Sequence, residues 1–150
     1  MRILLIGSNG QLGNDFQKLF YKKNIKYTAI DYKELNIVNS TDIEEFFKEN
    51  NNFTHIINCA AYNDVDKAEN EIEQCIKVNE EAPLIIARYA KKMGAVFVTY
   101  STDFVFDGDK REPYTEEDTP NPLSEYGKSK ANGEKLVLEN YEKSYVIRTS

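Results

Sequence analysis

The chain has little histidine and cysteine, and this scarcity excludes several kinds of site. His55 is the one histidine among 150 residues, so a His-based catalytic triad or a histidine-rich zinc site within them has no second imidazole. The two cysteines, Cys59 and Cys75, lack the Cys-x-x-Cys spacing of a metal or redox site. We therefore expect two buried free thiols, and we predict no metal.

Long hydrophobic runs and an excess of positive charge are also missing. No apolar run approaches the roughly 18 residues of a membrane span, and Met1-Arg2 lead directly into a short apolar run instead of a signal peptide. The 19 basic and 25 acidic residues give a net charge of −6, which argues against general affinity for nucleic acid or acidic membranes. The sequence predicts a cytoplasmic protein with neither as a partner.

Short apolar runs alternate with stretches of helical periodicity along the whole chain. The predicted strands are 3–6, 27–30, 55–59, 95–100 and 145–147, and the predicted helices are 11–23, 42–50, 71–93 and 126–140. Strands that are apolar throughout and alternate with helices are typical of a parallel sheet covered on both faces. The predicted fold is therefore a doubly wound, Rossmann-like α/β domain over residues 1–150.

Several local signals mark boundaries. Thr41-Asp-Ile-Glu44 fits a capping box, and Gly94 fits a helix end. Residues 106–123 contain three prolines and many acids, which predict one long surface loop. Because the last apolar run reads as a strand cut off before its loop, we expect a truncated chain whose smaller substrate-binding domain lies beyond residue 150.

A glycine-rich segment follows the first predicted strand. Gly7, Gly10 and Gly13 have the spacing that turns a chain sharply, brings bare backbone close to a pyrophosphate and packs a helix on the sheet. An ordinary strand-to-helix turn could carry the same glycines. The flanking strand and helix favour a dinucleotide, with its pyrophosphate over residues 10–12 at the helix N-terminus.

Asp31 ends the second predicted strand, near the offset from the glycines at which a carboxylate reaches the ribose hydroxyls of a dinucleotide. A carboxylate there repels a 2′-phosphate and favours NADH. Lys33 could instead pair with the phosphate of NADPH, and Asp31 could simply cap the next turn. The sequence therefore predicts NADH or NADPH as cofactor, with NADH accepted at least as well.

Tyr126 and Lys130 are four residues apart in the last predicted helix, and so lie on one helix face. A phenol beside an ammonium can hold a proton donor next to a carbonyl, although a solvated helix face could carry the same pair. Ser101-Thr-Asp103 follows the fourth predicted strand. The glycines, this strand end and the Tyr-Lys pair, in this order on one α/β pattern, favour a catalytic site.

These segments resemble the extended short-chain dehydrogenase/reductase superfamily. Residues 58–69, 100–108 and 122–130 closely resemble its dTDP-4-dehydrorhamnose reductase family, and the likeness spans essentially the whole chain. It implies NADH- or NADPH-dependent reduction of the C4 keto group of dTDP-4-dehydro-L-rhamnose to dTDP-L-rhamnose, a step of nucleotide-sugar and cell-surface polysaccharide biosynthesis. Related dehydratases carry an Asp-Glu pair where this chain has Asp103-Phe104, which argues against dehydration.

The resemblance also implies residue roles. Tyr126 would protonate the substrate oxygen, Lys130 would lower the phenol's pKa and hold the ribose, and Thr102 would hydrogen-bond the same oxygen. Thr102, Asp103 and Tyr126 would contact the sugar. With the glycine-rich segment included, the cofactor would be lined by Gly7, Gly10, Gln11, Leu12, Gly13, Asp31, Asn36, Ile37, Ala61, Tyr62, Asn63, Tyr100, Tyr126 and Lys130. Asn36 replaces a common aspartate and Phe104 a common tyrosine, which could weaken adenine recognition and alter sugar contacts.

Pro83 lies inside the predicted helix 71–93 and has no N–H, so the carbonyl of Asn79 loses its helical partner. A free carbonyl inside a fold needs another donor. Because superfamily members carry an asparagine on this helix that helps anchor a water near the catalytic lysine, we predict that Asn79 serves this relay to Lys130. A plain kink in a packed helix is the alternative.

Other functions stay open at this point. The chain could belong to another nucleotide-sugar reductase or an epimerase of the same superfamily. It could also belong to a non-catalytic regulatory subunit such as that of methionine adenosyltransferase, which resembles this family. The sequence leaves the sugar, any metal requirement and the oligomeric state undecided, with a homodimer as one option.

Overall fold

The computed structural model describes all 150 residues and contains a five-stranded sheet in which every neighbouring pair is parallel. The strands are β1 Ile3–Ile6, β2 Tyr27–Ile30, β3 His55–Asn58, β4 Val96–Thr102 and β5 Ser144–Thr149. The helices are α1 Gln11–Lys22, α2 Ser40–Glu49, α3 Val65–Ala68, α4 Ile72–Ile76, α5 Ala82–Met93 and α6 Glu125–Asn140. No helix combines the length and apolar character needed to cross a membrane.

Alternate residues of β1 reach two separate cores because side chains of a strand point to opposite faces. Leu4 and Ile6 join a core of 16 buried residues that α2, α5 and α6 complete. Ile3 and Leu5 pack with Phe20 of α1 on the other face. The prediction of a doubly wound, Rossmann-like α/β fold is confirmed. The strand order β2-β1-β3-β4-β5 reverses between β1 and β3, which is where such sheets open a binding crevice.

The helix predicted over residues 71–93 is present from residue 72 to residue 93, but it is not regular throughout. α4 runs into a π turn, Lys77–Glu81, and α5 begins only after it. The N–H of Ala82 donates to the carbonyl of Lys77, five residues earlier. Pro83 provides the physical reason, because it has no N–H for a regular helical bond to Asn79 and the backbone adopts the wider turn instead. The short helix α3 was not predicted.

The two predicted boundary signals have different outcomes. Gly94 ends α5 in the left-handed region at φ 66°, as predicted. The capping box at Thr41 is wrong, since α2 starts at Ser40 and its cap is Asn39, whose side chain accepts the N–H of Thr41. Asparagine caps a helix at least as well as threonine, and Asn39 also donates to Asp42.

β5 is an edge strand that is only partly buried. It exposes Tyr145 (61%) and Ile147 (42%) on one face, so the prediction of a buried strand there is wrong. Its neighbour β4 protects only one edge, and no helix covers those two side chains.

The long loop predicted over residues 106–123 contains no helix or strand, and two carboxylates hold it together. Asp107 accepts the hydroxyl of Tyr114 at 2.6 Å and the amide of Asn121 at 2.8 Å. Asp118 accepts the ammonium of Lys110 at 2.6 Å. The loop is therefore fixed by side-chain hydrogen bonds in place of a backbone ladder.

α6 packs directly on the π turn through Gly133. A Cβ atom at this position would collide with the carbonyl oxygen of Asn79. The absence of a side chain at residue 133 therefore sets how closely the two elements approach.

We predict that Gly133→Ala lowers the free energy of unfolding by about 1–3 kcal/mol, the usual cost of overpacking. The direction of the change in unfolding free energy is informative, because replacing an exposed helical glycine with alanine normally stabilises a protein by about 1 kcal/mol. Urea unfolding of the purified chain measures the change. Lys135→Ala, on the exposed side of the same helix, should stay near the wild-type value. A Gly133→Ala chain that is more stable than wild type would contradict this contact.

Candidate active site

A cleft of about 790 Å³ opens beyond the carboxyl ends of β1 and β3, and its size is ordinary for a small-molecule site. The predicted cofactor residues that line it are Gly7, Gly10, Gln11, Leu12, Asp31, Ile37, Ala61, Asn63 and Tyr100. Those that do not line it are Gly13, Asn36, Tyr62, Tyr126 and Lys130. Cys59 and Ala60 also line the cleft. They directly follow β3, just as Gly7 directly follows β1. This place at the end of a predicted strand could have identified them from the sequence.

The glycine-rich segment forms the floor of the cleft. Gly7 has a φ of +75°, and a Cβ there would come within 2.6 Å of the backbone nitrogen of Ala60. Gly10 caps α1, and a Cβ on it would meet only the Gly7 carbonyl oxygen, at 3.4 Å. Gly13 lies against the backbone of Gly7 and Ser8. The first turn of α1 contains no acidic residue, so its free N–H groups and the helix dipole can face an anion.

Asp31 lines the cleft and also holds the glycine-rich turn. Its carboxylate accepts the N–H of Asn9 at 2.7 Å through one oxygen and the N–H of Tyr32 at 2.8 Å through the other. An ionised carboxylate has about four acceptor sites, so both oxygens keep a free lone pair for a ligand. Asn36, by contrast, uses its side-chain oxygen to accept the N–H of Val38.

Tyr126 and Thr102 come together beside the end of β4. Tyr126 is 9% exposed at the start of α6, and its ring meets Phe104 edge-on, with centroids 5.7 Å apart. The Thr102 hydroxyl donates to Asp103 at 3.1 Å. Burial raises the pKa of Tyr126, and the Thr102 side chain partly opposes this rise. The phenol therefore keeps its proton at neutral pH.

Lys130 contacts the backbone of β4. Its ammonium donates to the backbone carbonyl of Tyr100 at 2.5 Å, and Lys130 is not among the groups that shift the pKa of Tyr126, so the lowering of that pKa by Lys130 stays a prediction. Burial lowers the pKa of Lys130 itself to about 8, while the nearby carboxylate of Glu134 works in the opposite direction.

Asn79 and Lys130 make no direct hydrogen bond. Both line a small cavity of about 10 Å³, close to the minimum that one water needs. The side chain of Asn79 points elsewhere, to the backbone of Tyr62 and to Ser129. The water relay to Lys130 stays a prediction.

Comparison with known proteins adds independent findings. Residues 1–150 match the RmlD substrate binding domain family. A dTDP-4-dehydrorhamnose reductase from Aggregatibacter actinomycetemcomitans is 40% identical, covering 99% of this chain and 51% of the relative. A methionine adenosyltransferase 2 subunit beta from Bos taurus is 34% identical, covering 98% and 46%. The chain thus spans about half the length of the curated relatives it matches.

A solved structure is similar over the same region. The dTDP-4-dehydrorhamnose reductase from Bacillus anthracis, in complex with NADP, is 36% identical to this chain and superposes with a TM-score of 0.92. The match covers 99% of this chain and 53% of that protein.

We predict that the stability of the wild-type chain, relative to a Lys130→Met variant, rises with pH between about 8 and 10.5. In this window the unfolded chain still holds the lysine proton that the folded chain has released, so unfolding becomes less favourable as pH rises. The full change corresponds to about 3 kcal/mol. Urea unfolding of both proteins at several pH values measures it, and tyrosine ionisation cancels in the difference. A difference that does not vary with pH would contradict the lowered pKa.

Proposed function

Because this chain belongs to the RmlD substrate-binding-domain family, we propose that it forms the cofactor-binding part of a reductase. The proposed reaction reduces the C4 keto group of dTDP-4-dehydro-L-rhamnose to give dTDP-L-rhamnose, with NADPH or NADH as reductant. The observation that carries the proposal is the position of Tyr126 and Thr102 beside the strand end that borders the glycine-floored cleft. The proposal is supported by the name of the Aggregatibacter actinomycetemcomitans relative and by the NADP complex of the Bacillus anthracis reductase.

The residues of the cleft fit a nicotinamide dinucleotide. Open space above Gly10 and the unneutralised N-terminus of α1 suit a pyrophosphate. The free lone pairs of Asp31 can accept hydrogen bonds from ribose hydroxyls. Ala61 and Tyr100 also line the cleft, and Tyr100 belongs to β4. When bound, the reduced nicotinamide supplies the hydride. A preference for NADH, which the Asp31 carboxylate favours, stays a prediction.

Tyr126 is proposed as the proton donor. Because burial raises its pKa, the phenol is fully protonated at neutral pH and can donate to the C4 oxygen as negative charge develops there. Thr102 would donate a second hydrogen bond to the same oxygen by turning its hydroxyl hydrogen away from Asp103. Lys130 would donate hydrogen bonds to the ribose hydroxyls. It would also help to return a proton to the Tyr126 phenol after the reaction, through the small cavity that it shares with Asn79.

A regulatory role is the second candidate. The subunit beta relative is nearly as similar to this chain as the reductases are. The best discriminating experiment is oxidation of NADPH and NADH by the protein at its natural length, with a panel of 4-keto nucleotide sugars. Turnover with one of them supports the reductase and identifies the sugar. Cofactor binding without turnover of any sugar supports the regulatory role.

We predict that Gly10→Val weakens cofactor binding by at least about tenfold, or about 1.4 kcal/mol. The branched side chain would occupy space that the pyrophosphate needs close to the backbone. Titration of the purified chain with NADPH, followed by nicotinamide fluorescence, measures the affinity, and circular dichroism checks the fold. Gly10→Ala adds only one methyl group to open space and should lose less. Equal affinity of wild type and Gly10→Val would refute the placement of the pyrophosphate.

We predict that Tyr126→Phe, in the protein at its natural length, lowers turnover by at least roughly 10²-fold, as expected for the loss of a positioned general acid. Cofactor affinity should stay nearly unchanged. Tyr145→Phe is the matched control, because its ring is exposed on β5 and the same hydroxyl is removed. Single-turnover kinetics isolate the chemical step. Wild-type rates in Tyr126→Phe would mean that the proton has another source.

A further inference from the structure

Ser129 precedes Lys130 on α6 but faces the π turn instead of the cleft. It is 2% exposed. Its hydroxyl donates to the backbone carbonyl of Tyr126 at 2.8 Å and accepts a hydrogen bond from the side-chain amide of Asn79 at 3.0 Å. The thiol of Cys75 lies 3.1 Å from the same oxygen. Ser129 therefore connects the residue that carries the phenol to the opposite element.

Asn79 continues this connection to the segment that follows β3. Its side-chain oxygen accepts the N–H of Tyr62 at 3.0 Å, and its amide nitrogen donates to the carbonyl of Tyr62 at 3.0 Å. Only this orientation of the carboxamide satisfies both backbone groups. The second amide hydrogen is the one that Ser129 accepts, so every strong hydrogen-bonding group of the Asn79 side chain except one lone pair is used.

The result is one buried polar chain that runs from the Tyr62 backbone through Asn79 and Ser129 to the Tyr126 backbone. Ala61 and Asn63, on either side of Tyr62, line the cleft. The π turn is the feature that presents Asn79 between the two segments, and such turns are frequent at functional sites. A fully satisfied buried network rigidifies what it connects.

We infer that Ser129 is a positioning residue that, through Asn79, fixes the cofactor-lining segment after β3 relative to the helix bearing Tyr126. This inference rests on the proposed function. Removing the Ser129 hydroxyl leaves the second amide hydrogen of Asn79 only the weakly accepting thiol of Cys75, at 3.5 Å, and frees the two segments to shift against each other. Small shifts between a proton donor and a bound reactant lower turnover steeply.

The test compares Ser129→Ala with Ser144→Ala. Ser144 is an apt control because it is also buried and its hydroxyl has no hydrogen-bond partner. NADPH affinity is measured on the purified chain, kcat and KM on the protein at its natural length, and thermal unfolding on both variants. All binding and rate measurements are made at a temperature at which each variant is fully folded.

The expected result for Ser129→Ala is a NADPH affinity weakened at least about threefold and a kcat lowered at least about tenfold, with Ser144→Ala unchanged in both. In the double variant with Asn79→Ala, the loss should equal that of Asn79→Ala alone, because the two side chains act in series. A lower melting temperature with unchanged affinity and kcat would overturn the inference and leave a purely structural bond. A wild-type protein that binds neither cofactor would overturn the proposed function and this inference together.

Discussion

The contact between α6 and the π turn is the constraint on which the site depends. Pro83 removes one helical hydrogen bond, and the wider turn over Lys77–Glu81 follows. Gly133 then allows α6 to rest directly on the Asn79 carbonyl. This contact fixes the position of α6 along its axis. It therefore also fixes the positions of Tyr126 and Lys130 relative to the end of β4. A bulkier residue at 133 or a regular helix at 77–81 would move both side chains together.

Burial acts on Tyr126 and Lys130 in opposite directions and favours the neutral form of each. The phenol's pKa is raised, and that of the ammonium is lowered to about 8. Glu134 counteracts the effect on Lys130, and Arg148 holds Glu134 in place through a pair 2.6 Å long. Arg148 thereby limits how far Glu134 can move toward the ammonium. The outcome is a phenol that stays protonated and, four residues later on α6, an amine whose pKa is lowered to about 8, which suits the chemistry proposed.

Features encoded in short segments could be predicted from the sequence, whereas features that need two distant segments could not. The strands, the glycine-rich turn and the Gly94 helix end each depend on a few consecutive residues, and the structure has them. Pro83 indicated the lost hydrogen bond at Asn79, but the packing of Gly133 on that carbonyl joins two distant segments and could not be predicted. The partner of Lys130 is a carbonyl of Tyr100 on the neighbouring strand, although the helical spacing from Tyr126 suggested a direct pair. Likewise, nothing local to Asp31 indicated that its carboxylate would hold the N–H of Asn9.

Similarity along the whole chain identifies the family but does not separate catalysis from regulation. The identities to a dTDP-4-dehydrorhamnose reductase and to a methionine adenosyltransferase 2 subunit beta are 40% and 34%, in each case over nearly all of this chain. A shared fold and a shared cleft are compatible with either role. A buried phenol, an adjacent threonine hydroxyl and a lysine whose pKa burial lowers to about 8 together fit the proposed reductase. Burying these polar groups near the end of β4 costs free energy. Ser129 and Asn79 connect them to the lining of the cleft. It is this arrangement, more than the degree of identity, that favours the reductase.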